Sequence, residues 1–232
     1  MLIFEFVYRI WPYKAGFIDE LLCYMSGPDG LFGADEVFDP ETLRVVRETI
    51  ERHRHLLGTP EGRRAVLREV VRLGAGRNFL AHFDQRMRIR TSLMAVVGST
   101  RDIRYRGEIA MALERAGDQS RRGIVALIEY IMKSLGLRFR RPEWTVEQLQ
   151  AAGAAALQGL AMVHDVGQAA QERADAVGAP GGQPVARIID VPLPGPGLGE
   201  SDAQWSLAGL TYLGIVDAFL EPDPDFTPEP LA

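Results

Sequence analysis

Cysteine and lysine are nearly absent from this chain. Cys23 is the single cysteine among 232 residues, which excludes an internal disulfide framework and fits a reducing compartment. Lysine occurs only at Lys14 and Lys133, so arginine carries almost all the positive charge. No apolar run reaches the length of a membrane span, and no membrane partner is expected. The opening Met-Leu-Ile-Phe-Glu-Phe lacks a basic segment and soon meets Glu5 and Arg9, which is not a secretory leader pattern. The expected compartment is therefore the cytoplasm. A basic excess is missing too. The formal net charge is -5, which argues against the chain gripping nucleic acid tightly by itself.

Several chemical signatures are also lacking. The glycines at 178–182 and 195–199 lie among prolines rather than between a strand and a helix, so they do not form a phosphate loop. His53 and His55 are two residues apart, which places them on different sides of a helix and suits no metal. His164-Asp165 has no serine in an elbow near it, so a hydrolytic triad is not expected. No paired carboxylates or nucleophile–base set stands at helical spacing, which ranks an enzyme last among the readings. No cofactor is expected.

What is present is helical periodicity and enough apolar material, 47% of residues, to bury a sizeable core. Phe17, Leu21, Leu22 and Met25 mark one helix face. Pro40 opens a second segment with Leu43, Val46, Ile50 and Leu57 on its stripe. Thr59 and Pro60 start a third, burying Val66, Val70 and Leu73 and expected to stop near Gly74 and Gly76. A helix over 78–97 carries Phe79, Phe83, Met87 and Met94. A long one then runs from Ser99-Thr100 to Gly136, with a possible bend at Gly117. Thr145 and Gln148 form a capping box for the next helix, whose face includes Leu149, Gly153, Leu157 and Leu160. Residues 177–200 read as an irregular, proline-rich connector with a short extended piece at 185–191. Ser201-Asp202 is expected to cap a last helix with Trp205, Tyr212, Ile215 and Phe219 on its face. The class is all-α.

One segment carries a resemblance: Val7-Tyr8-Arg9-Ile10-Trp11-Pro12-Tyr13-Lys14-Ala15-Gly16-Phe17. It resembles the end of the recognition helix and the start of the connecting helix in TetR/AcrR-family transcriptional regulators, matching at Tyr8, Trp11, Pro12, Lys14 and Phe17. Gln158-Gly159-Leu160 adds a weaker likeness. The resemblance implies a helical body that binds a small effector and pairs as a homodimer through its last two helices, here 144–170 and 202–220. Residues 1–26 become the remnant of a helix-turn-helix headpiece, 27–220 the effector-binding and dimerisation domain, and 221–232 a flexible acidic tail. Tyr8 and Lys14 would contact the DNA backbone. Phe79, His82, Phe83, Met87, Met94 and Tyr130 would line the effector pocket. Leu149, Gly153, Leu157, Leu160, Trp205, Tyr212, Ile215 and Phe219 would form the dimer interface.

The sequence also departs from that family. Its headpiece has two helices before the recognition helix, and this chain starts within the recognition helix. Leu2-Ile3-Phe4-Glu5 stands where a valine, a small or polar residue and a glycine are usual; Glu5 repels phosphate and Phe4 offers no base-edge hydrogen bond. Operator DNA is therefore expected to bind only a full-length form. An alternative is a headless interaction protein that heterodimerises with an intact regulator.

Overall fold

The computed structural model describes residues 10, 13–26, 39–81, 94, 106–177, 189–198 and 202–227. The chain divides into two compact units, Met1–Phe38 with Asp84–Arg122 and Asp39–Phe83 with Gly123–Ala232. Helices dominate the described residues. They are α1 (Lys14–Ser26), α2 (Pro40–Arg52), α3 (Pro60–Ala81), α4 (Arg106–Leu135), α5 (Val146–Val177) and α6 (Leu207–Phe219). Four short strands accompany them: β1 (Leu137–Phe139), β2 (Leu193–Pro196), β3 (Asp202–Trp205) and β4 (Leu220–Pro222). No described helix is long and apolar enough to cross a membrane.

In the first unit, α1 begins at Lys14, directly after the exposed Tyr13, and leaves Leu21 and Tyr24 exposed. The first half of α4 buries Ile109, Ala112 and Leu113. On its outer side Arg121 bridges Glu114 and Asp118.

The second unit is built on α2, α3, α5 and α6. Asp39 caps α2 by accepting from the Glu41 and Thr42 N–H groups, both at 3.2 Å, and from the Thr42 hydroxyl at 2.9 Å. Burial alone would raise the Asp39 carboxyl. The hydrogen bonds from Thr42, Glu41 and Arg77 outweigh it and hold the group below its ordinary range. The Arg77 contact also ties α3 to the start of α2. Val46 and Ile50 of α2 face the core together with Val66, Leu67, Val70 and Val71 of α3.

Two sequence expectations change here. The helix from Pro60 does not stop at Gly74 and Gly76 but runs on to Ala81. Gly74 is a packing site: a Cβ there would sit 3.1 Å from Val46 Cγ2. The long helix forms over its described residues: α4 passes Gly107, Gly117 and Gly123 without a break and ends before Gly136 as expected. The chain turns at Gly136, whose φ of +54° lies in the left-handed region that favours glycine. The last helix starts later than expected. Asp202–Trp205 forms β3, which pairs antiparallel with β2, and the cap is Ser206, whose hydroxyl accepts from Gly209 N–H at 3.0 Å. β2 holds Pro194 and Pro196, which a two-stranded sheet tolerates because one edge of each strand needs no donor.

The first residues of the acidic end are paired. Leu220–Pro222 follows α6 directly and pairs with β1, with Arg138 opposite Glu221. Asp223 N–H then donates to the Gly136 carbonyl at 2.8 Å. Arg138 and Arg140 both pair with Glu221, and Arg140 Nε donates to the Asp217 carbonyl.

Candidate functional site

The site is built where α3, α5, α6 and the Ile189–Asp190 segment meet. Helix α5 starts with a reciprocal cap, Gln148 N–H to Thr145 Oγ1 at 3.3 Å and Thr145 N–H to Gln148 Oε1 at 3.0 Å. From that start the helical repeat brings Leu149, Gly153, Leu157, Ala161 and His164 to one buried side. Phe79 near the end of α3 and Ala208 of α6 complete a buried cluster with Leu157, Ala161 and Ile189. Leu160, Leu207 and Tyr212 pack against it.

His164 gives this apolar cluster a polar edge. It is 4% exposed, and its Nε2 lies 3.1 Å from both carboxylate oxygens of Asp190. A carboxylate only accepts, so Nε2 carries the proton in this pair. Asp190 is open to solvent. The arrangement places an exposed negative group beside a buried apolar cluster.

Tyr212 packs against the same cluster. A Cβ on Gly153 would come within 2.2 Å of its Cε2, so the missing side chain is what lets α6 approach α5. Burial pushes the Tyr212 phenol up to about 12. Trp205, 1% exposed, anchors the end of β3 by donating from Nε1 to the Pro196 carbonyl at 3.0 Å.

The residues singled out from the sequence fall into different places. Tyr8, His82, Phe83 and Met87 lie outside the described residues, as does the Lys14 side chain. Phe79 belongs to the buried cluster. Met94 and Tyr130 do not: both are exposed, and Arg47 lies over the Tyr130 ring at 5.5 Å. Leu149, Gly153, Leu157 and Trp205 are buried, and Leu160, Tyr212, Ile215 and Phe219 are half-buried. The Phe219 ring packs at a tilt against Trp144, with ring centroids 4.8 Å apart. The residues expected at a dimer seam are thus used mainly in a seam within one chain, between α5 and its neighbours. On α5 the exposed apolar side is a different one, Met162, Val163, Val166 and Val177.

The His164–Asp190 pair was not foreseen. His164 falls on the buried stripe of α5, a signal that sequence periodicity does contain. Asp190 stands 26 residues away within the proline-rich stretch, and nothing local points to it. Among the described residues no group of three His, Cys, Asp or Glu side chains gathers to hold a metal. No protein-family model, curated protein or solved structure matches the chain.

Proposed function

We propose that this chain is the effector-binding and dimer-forming body of a TetR-type transcriptional regulator. The observation that carries the reading is the buried α3–α5–α6 cluster with one polar edge at His164–Asp190, where the exposed Asp190 carboxylate is open to a ligand. The start of a helix at Lys14, within the run that resembles the start of the family's connecting helix, supports it as well. The effector is small and mostly apolar, with a donor group that meets Asp190. Its binding shifts the chain between two states of unequal affinity, which is the requirement for passing a signal to DNA.

The dimer forms through the exposed side of α5, centred on Val166, which is 71% exposed. A subunit whose seam residues are already covered by its own α6 has this side left to offer a second copy. Contact with operator DNA needs a headpiece in addition to this body.

A thermal-shift panel of small aromatic amines and alcohols tests the effector site. At least one compound raises the melting temperature saturably, and Asp190→Ala removes most of that rise. Asp190→Asn, which keeps an acceptor for the buried His164 Nε2 but not the charge, controls for any loss of stability in Asp190→Ala. A panel in which nothing stabilises the wild type, or in which the variant responds equally, overturns the assignment.

A further inference from the structure

Among the described residues Arg63 is the one buried arginine, 2% exposed, and no carboxylate pairs with it. The contrast with its neighbours is sharp. Arg44 pairs with Glu41 and Glu48, Arg72 with Glu69, Arg77 with Asp39, and Arg138 and Arg140 share Glu221. All of these are more exposed than Arg63, and water would screen them without a partner. A guanidinium does not lose its proton in a protein, so Arg63 brings a full charge inside. Burying a charge is strongly unfavourable unless it is paired.

The groups around Arg63 offset that cost only in part. Nη2 donates to the Asp223 carbonyl at 2.7 Å. The Phe226 ring lies 5.2 Å from the guanidinium carbon, a cation–π contact. Nε is buried and has no acceptor. A carbonyl dipole and a ring face leave the net charge in place. Arg63 also stands in the first turns of α3, where the helix end itself favours negative charge.

We propose that Arg63 is the receptor for a small oxyanion, a carboxylate or phosphate group, enclosed by the C-terminal segment. The anion accepts from Nε and from the guanidinium donors that Asp223 leaves over, the planar fork for which arginine is suited. Phe226 covers the guanidinium face. This site is separate from the His164–Asp190 edge and does not depend on the regulator reading.

The test is a titration of the full chain with inorganic phosphate, and in parallel with acetate, at ionic strength held constant with potassium chloride. At saturation the wild type melts about 2–4 °C higher with the preferred anion. Arg63→Met, which keeps the volume without the charge, shows no such rise. An equal rise in Arg63→Met marks a general salt effect and overturns the proposal. Should that variant fail to fold, Arg63→Lys identifies the Arg63 Nε resonance by its loss from the nitrogen NMR spectrum. That resonance moves in the wild type as phosphate or acetate is added. A resonance that stays fixed with both anions sinks the proposal, and the anion that moves it distinguishes the two sources.

Discussion

The seam between α5 and α6 makes a prediction in which two effects of opposite sign compete. Replacing Gly153 by alanine removes a flexible residue from a helix interior, which by itself stabilises by about 0.8–1 kcal/mol. The new Cβ, however, falls 2.2 Å from Tyr212 Cε2. Carbon atoms rest at about 3.5–4 Å, so the ring has to move by roughly 1.5 Å. Overpacking of this kind costs about 1–3 kcal/mol. The clash wins, and Gly153→Ala destabilises by about 1 kcal/mol, which lowers the melting temperature by about 2–4 °C. Gly159 on the same helix is the control. It has nothing within 4 Å of an added Cβ, so Gly159→Ala stabilises by up to about 1 kcal/mol. In a Tyr212→Leu background the penalty at Gly153 shrinks, because the two positions are coupled. Urea unfolding of the single and double variants reads all of this. If Gly153→Ala stabilises as much as Gly159→Ala, α6 does not press on α5 in the way described.

Gly136→Ala is expected to be among the more damaging single changes outside the core. A left-handed backbone costs an ordinary residue about 1–2 kcal/mol, and the added Cβ would meet Phe226 Cγ at 2.0 Å. Chemical denaturation shows a loss above 2 kcal/mol by order of magnitude, and Phe226→Ala as a second change relieves part of it; strict additivity would contradict the packing. Tyr212 sets a pH dependence. Its phenol is raised from 10.0 to about 12, so the unfolded chain ionises first. Stability is full below pH 10 and falls as pH rises from 10 toward 12, by at most about 2–3 kcal/mol from this residue. Tyr212→Phe flattens that part of the alkaline profile, and an unchanged profile would show that the ring is not sheltered.

Much of the helical plan was legible from local chemistry. The Thr145–Gln148 cap is written in four consecutive residues and forms as read. Pro60 and Pro40 begin their helices because proline suits the first turn. The expectations that changed are those in which a distant partner overrides a local signal. Gly74 looks like a stop, yet it sits in a continuous helix because α2 comes close to it there. Ser201-Asp202 looks like a cap, but Asp202–Trp205 is held by pairing with β2. The end of the chain is acidic and proline-rich, yet Glu221 is held by Arg138, 83 residues earlier. The same limit applies to the site. Phe79 and His164 each lie on an apolar helical stripe, whereas Asp190 and the buried charge of Arg63 emerge only from tertiary packing.

The measurement that bears most directly on the proposed regulator body is its mass in solution by light scattering during size exclusion at micromolar concentration. The account predicts twice the 25.7 kDa chain mass, falling to one chain mass in Val166→Glu, which puts a charge on the exposed side of α5. A monomeric wild type, or a dimer indifferent to Val166→Glu, would contradict it.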